Sequence, residues 1–177
     1  MIDIQDNFLP LNEFEQLRDG LLRWDFPWYI AHVVNDIEEY VDEMFNMQFS
    51  HLFYNTYSPQ CDQISILEPI LKKLQPIAIF KIKANMMPNQ GKIVEHGLHT
   101  DVTDTKTHLI NSISKIKDHM KTSILYLNTN NGYTKFEDGT KVESVANRMV
   151  TFPNHIMHTG TTTTDSQYRL VLNLNYI

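Results

Sequence analysis

A single cysteine, Cys61, excludes an internal disulfide, so nothing in this chain asks for an oxidising compartment. No apolar run approaches the roughly 20 residues that a membrane-crossing helix needs, and no charged segment leads into an apolar one at the start. The expectation is a cytoplasmic protein with no membrane partner. Basic charge is scarce as well: 15 Lys and Arg against 21 Asp and Glu leave a formal charge of −6. That balance speaks against a nucleic-acid partner, whose phosphates call for a surplus of cations. The six glycines are scattered and form no phosphate-binding loop. Repeats, low-complexity tracts and Gly/Ser-rich linkers are absent, so one domain over 1–177 is expected. Its 42% hydrophobic and 20% charged residues are enough for an ordinary globular core.

Residues 1–76 look like a helical and strand support region. Residues 1–7 suit a short edge strand. Asn12 and Glu15 resemble a capping box, and Phe14, Leu17 and Leu21 recur at helical spacing, which predicts a helix over 10–23. A strand is expected within 24–34 around Pro27, and another over 49–54, with a loop over 59–63. Residues 36–46 fit either an acidic helix or a solvated loop. A second capping box, Ser65 with Glu68, precedes the stripe Ile66, Leu67, Ile70, Leu71 and Leu74, which stops before Pro76. From residue 77 the pattern becomes short β-rich runs separated by turn signals, the longest over 77–87. Asp138-Gly139 marks the tip of a hairpin. Helices first and strands after predict helices packed on one face of an all-β barrel or sandwich.

The chemistry concentrates in Gly97-Leu98-His99-Thr100-Asp101-Val102. If this is a strand, the period of two puts His99 and Asp101 on one face. In a chain with eight histidines a His-x-Asp arises by chance roughly half the time, so its surroundings must carry the case. Downstream, His155 and His158 both offer a third ligand. Two His and one carboxylate leave coordination positions open, as in non-haem Fe(II) oxygenases. Eleven residues on, alternation puts Tyr168, Leu170, Leu172 and Leu174 on one strand face and Arg169, Val171 and Asn173 on the other. A guanidinium turned into a cavity needs a carboxylate partner, which a dicarboxylic co-substrate could supply. Asn173, and Asn85 in Lys83-Ala84-Asn85, are candidate polar contacts in the same cavity. His96, His108 and His119 are set aside as ligands, and Cys61 shows no Cys-His grouping.

His99-Thr100-Asp101, the run 123–128 ending in Tyr126-Leu127-Asn128, the run 131–136, Phe152 with His158, and Arg169 together form an ordered series. This series resembles the 2-oxoglutarate and Fe(II)-dependent dioxygenases, in particular the prolyl 4-hydroxylase-like branch and its small stand-alone viral and bacterial members. The resemblance covers about residues 80–177. It implies a double-stranded β-helix, or jelly roll (cupin-like), over 77–177, with His99, Asp101 and His158 as catalytic metal ligands near one open end. It favours His158 over His155 because the ligand precedes a small-residue pair, here Thr159-Gly160. It implies that Arg169 and Tyr126 bind the distal carboxylate of 2-oxoglutarate.

The implied cofactors are Fe(II), 2-oxoglutarate and O2, with ascorbate as a candidate auxiliary reductant. The implied reaction is hydroxylation of a small-molecule or peptidyl substrate, with release of succinate and CO2. If the chain is viral, the host cytoplasm is its expected place. Two readings of other kinds stand beside this one: a non-catalytic jelly-roll binding or structural domain, and a nucleic-acid demethylase on the same scaffold. The latter would want a basic groove with stacking aromatics. Finally, Leu109, Ile113, Ile116 and Met120 lie at helical spacing directly after Asp101, which predicts a helical or mobile lid over 102–121.

Overall fold

The computed structural model describes residues 1–32, 46–56, 58–102 and 119–177. Nearly all of the segment 36–46 and of the lid expected over 102–121 lies outside the described residues. Among the described residues an eight-stranded antiparallel sheet dominates, built from β1 (Asp3–Gln5), β2 (Tyr29–Ala31), β3 (Gln48–Asn55), β4 (Ser58–Pro59), β5 (Ile79–Pro88), β6 (Lys121–Tyr126), β9 (Met149–Pro153) and β11 (Tyr168–Tyr176). Its order is β1-β9-β6-β11-β5-β3-β2, with β4 paired to β3. A smaller sheet, β10-β7-β8, is formed by β7 (Tyr133–Phe136), β8 (Lys141–Glu143) and β10 (His158–Gly160).

The large sheet is two-sided because its central strands alternate. On one face, Ile82 and Ala84 of β5, Leu125 of β6 and Leu170, Leu172 and Leu174 of β11 form the main core. Helix α1 (Leu11–Leu21) closes this face with Phe14, Leu17 and Leu21, and α2 (Glu68–Leu74) adds Ile70. The helical spacing read from the sequence is thus the stripe that buries. On the other face the small sheet lies across the large one. There Phe136 and Val142 meet Met87, Ile124, Tyr126, Val150, Phe152 and Val171.

Neither capping box forms. Pro10 sits at the N-cap of α1, where its fixed φ suits the helix entrance, and Asn12 falls inside the helix. Ser65 lies within a 3-10 helix (Asp62–Leu67) that runs straight into α2, so it caps nothing; Pro69 in the first turn of α2 starts the α-helix instead. That 3-10 helix and the β4 pairing also replace most of the loop expected over 59–63. The strand expected within 24–34 shrinks to the three residues of β2. The Asp138-Gly139 hairpin forms as expected: Gly139 takes φ +87°, and the Thr140 N–H donates to Asp138 Oδ1 at 2.8 Å.

Candidate metal centre

The 97–102 stretch is not a continuous strand. It touches the small sheet at one point, where His99 N–H donates to His158 O and His158 N–H donates to His99 O, each at 3.0 Å. Asp101 follows in a bend. What brings the three side chains together is therefore this one backbone pair plus the bend, not strand periodicity. The result is tight: one ligand atom from each of His99, Asp101 and His158 lies within 4.8 Å of the others. Asp101 Oδ1 stands 3.8 Å from His99 Nε2 and 3.9 Å from His158 Nε2. His155 is exposed and takes no part.

The surroundings orient each of the three. His99 Nδ1 lies 3.0 Å from the carbonyl of Gly97, and His158 Nδ1 lies 3.3 Å from that of Ile156. A carbonyl only accepts, so each Nδ1 donates a proton to it, and each Nε2 is the ring atom turned toward Asp101. Phe152 packs edge-on against the His158 ring at 4.8 Å between centroids and fixes its plane. Asp101 Oδ2 accepts from Asn175 Nδ2 at 3.0 Å, and Asn175 also donates to Thr122 Oγ1 at 3.0 Å. Burial opposes the charge of Asp101. The imidazoles of His158 and His99, with Lys81 and Asn175, outweigh it and hold the carboxyl down at about 2. Asn175 went unnoticed in the sequence, although it lies on the Arg169 face, two positions past Asn173.

The three residues sit on the wall of a cavity of about 110 Å³, which Lys81, Asn85, His96, Thr134, Arg169 and Asn173 also line. Arg169 is only 1% exposed, and among the described residues none of its hydrogen-bond partners is a carboxylate. Its Nε donates to Ser144 Oγ at 2.7 Å and its Nη2 to Thr134 Oγ1 at 3.1 Å, while Nη1 faces Met87 Sδ at 3.7 Å. Burial pulls its pKa down while the nearby Tyr126 pulls it up. Two glycines make its slot: a Cβ on Gly132 would stand 2.6 Å from Arg169 Cδ, and one on Gly160 would stand 3.1 Å from Nη1. A buried guanidinium without a counter-charge is costly, and such sites persist where a partner completes them.

Asn85 and Asn173 both reach the cavity, and among the described residues the Oδ1 of each has no hydrogen-bond partner. Tyr126 does not line it. It is fully buried behind Thr134, its hydroxyl donating to Thr134 Oγ1 at 2.8 Å. Thr134 Oγ1 thereby accepts from both Tyr126 and Arg169, and its own proton remains to donate elsewhere.

The sequence also concealed a Cys-His contact: His51 Nε2 lies 3.2 Å from Cys61 Sγ. The pair meets because β3 carries His51 past the turn that holds Cys61. Burial raises the thiol's pKa, and His51 Nδ1 is held by the carbonyl of Pro27 at 2.7 Å. The contact is therefore packing, not an activated nucleophile.

No family model matches this chain, and no curated protein matches it in sequence. Solved structures do. A prolyl-4-hydroxylase from Pseudomonas putida is similar with a TM-score of 0.60 at 18% identity, over 99% of this chain and 91% of that one. The viral collagen prolyl hydroxylase from Paramecium Bursaria Chlorella virus-1 is similar with a TM-score of 0.56 at 14% identity, over 98% and 88%. A 2OG-Fe(II) oxygenase family oxidoreductase from Burkholderia pseudomallei gives 0.62 at 11% identity, over 99% and 84%. At such identities the likeness establishes architecture: this chain has the double-stranded β-helix fold of the 2-oxoglutarate and Fe(II) oxygenases.

Proposed function

We propose that this protein is an Fe(II)- and 2-oxoglutarate-dependent oxygenase that hydroxylates a small-molecule or peptidyl substrate. One observation carries the reading. A two-imidazole, one-carboxylate cluster shares a cavity with a buried guanidinium that has no carboxylate partner among the described residues. Surface clusters of polar residues are common, but a protein does not bury Arg169 uncompensated beside them without a reason.

The donor set fits the metal. His99 and His158 would offer Nε2 and Asp101 would offer Oδ1, a nitrogen and oxygen mixture that suits non-haem Fe(II). The cavity fits the co-substrate, because Arg169 and the Thr134 hydroxyl offer donors to a distal carboxylate. Tyr126 acts through Thr134: its hydrogen bond turns the Thr134 proton away from itself. Asn85 and Asn173 supply acceptors for whichever donors the co-substrate or substrate brings. When bound, Fe(II) and 2-oxoglutarate together supply the activation of O2, leaving succinate and CO2. The chain's own work is to hold that pair with charge complementarity and to exclude bulk water from the cavity.

Two measurements test the reading. The purified protein, given Fe(II), ascorbate and 2-oxoglutarate, should release succinate with a pool of candidate substrates. In calorimetry Arg169→Ala should weaken 2-oxoglutarate binding roughly ten- to more than a hundredfold, since a charge-assisted hydrogen bond contributes about 1.5 to 3 kcal/mol. Its affinity for the metal should stay near the parent's. An unchanged 2-oxoglutarate affinity in Arg169→Ala would remove the anchor and most of the case with it.

A further inference from the structure

One buried group on the cavity wall is used by neither the metal cluster nor the Arg169 network. His96 is 2% exposed, and among the described residues neither of its ring nitrogens has a hydrogen-bond partner. Its position follows from the backbone. Glu95 pairs with Thr161, and the His96 N–H donates to Gly160 O at 3.3 Å, so His96 stands opposite Gly160. Residues directly opposite in an antiparallel pair project to the same side. At Gly160 that side is known, because a Cβ there would lie 3.1 Å from Arg169 Nη1 and 3.9 Å from Met87 Sδ. His96 therefore points into the Arg169 end of the cavity. Gly160, by having no side chain, leaves open the space they share.

The donors are also complementary. Arg169 spends Nε on Ser144 and Nη2 on Thr134, which leaves Nη1, beside Gly160, facing only a thioether. Burial first, then the charge of Arg169, holds the His96 imidazole down at about 4. At neutral pH it is an uncharged ring with one N–H to donate, and it adds no second cation to repel Arg169.

We propose that His96 is a second anchor for the distal carboxylate of 2-oxoglutarate, its ring N–H donating to one carboxylate oxygen while Arg169 Nη1 donates to the other. The inference rests on the reading given under the proposed function. It adds a residue that the ligand set does not require, three positions before His99.

The test uses the full chain loaded with Mn(II) and two titrants in calorimetry. These are 2-oxoglutarate and 2-oxopentanoate, a 2-oxo acid of the same length without the distal carboxylate. His96→Phe should weaken 2-oxoglutarate binding by roughly ten- to a hundredfold, the range of one charge-assisted hydrogen bond. It should leave the affinities for 2-oxopentanoate and Mn(II) unchanged. His96→Gln, which keeps an N–H donor, should recover most of the loss. If His96→Phe does not fold, as judged by thermal melting, His96→Leu takes its place. Equal 2-oxoglutarate affinity in parent and variant, or equal losses for both acids, would overturn the anchor and leave the role of Arg169 standing. A parent that binds Mn(II) but not 2-oxoglutarate would overturn both.

Discussion

Along β11 neighbouring residues live in opposite worlds. Leu170, Leu172 and Leu174 face α1 and α2 in a dry core, whereas Arg169, Asn173 and Asn175 face the cavity with Val171 between them. The outer face holds apolar side chains packed to completion. Among the described residues the inner face holds a cation without a carboxylate and two asparagine oxygens, Asn85 Oδ1 and Asn173 Oδ1, without partners. Incomplete satisfaction of this kind lowers stability, so the two faces divide the labour: one supplies the folding free energy, and the other spends part of it to keep a polar cavity ready.

The division can be broken from either side. The largest effect should come from His158→Ala. Losing a ligand should reduce metal affinity beyond the ~10–100-fold expected for an outer-sphere partner, with the melting transition kept, as anaerobic Fe(II) titration and thermal melting would show. From the other face, Leu172→Ala should cost about 2–5 kcal/mol of stability in urea melts. The metal affinity of the folded fraction should not change. Should Leu172→Ala weaken metal binding as much as it weakens the fold, the two faces would be one cooperative unit with no division between them.

A pH experiment sharpens the comparison. The folded state holds His96 neutral, with its pKa lowered from 6.5 to about 4, so the unfolded chain binds more protons between those values. Stability of the metal-free protein should therefore fall as pH drops below 6.5, with the loss complete near 4 and amounting to roughly 3 kcal/mol. His96→Gln should flatten that slope. Asp101 works in a separate window, since its lowered pKa gives stability that is present above 3.8 and lost only as pH falls through about 2. The smallest effect concerns Asn175, which holds Asp101 Oδ2 from behind: Asn175→Ala should weaken the metal by about ten- to a hundredfold in the same titration while 2-oxoglutarate affinity at saturating metal stays near the parent's.

How much of this was legible beforehand depends on the range of the interaction. The β11 alternation was legible because a strand's period is local, and so were the α1 and α2 stripes and the Asp138-Gly139 hairpin. The two capping boxes misled because Pro10 and the 3-10 helix before α2 set those helix starts, and a four-residue pattern does not register its neighbours. His99 and Asp101 were identified through an incorrect intermediate, a strand that does not form. Their spacing still served, since a single backbone pair and a bend bring them to the same point.

Taken alone, the sequence determined the alternation that makes one sheet face apolar and the other polar, and the ordered residues His99, Asp101, His158 and Arg169. These are properties of periodicity and chemical type, which each segment carries within itself. Only the tertiary structure decided that Tyr126 stands behind Thr134 and not in the cavity, that Asn175 supports Asp101, that His51 meets Cys61, and that His96, Gly160 and Arg169 line one cavity. Each of those contacts joins residues from different strands or loops, some near in the chain and some far, and which side chains meet is set by register and by the absence of a side chain at Gly160 and Gly132. No local pattern carries that information.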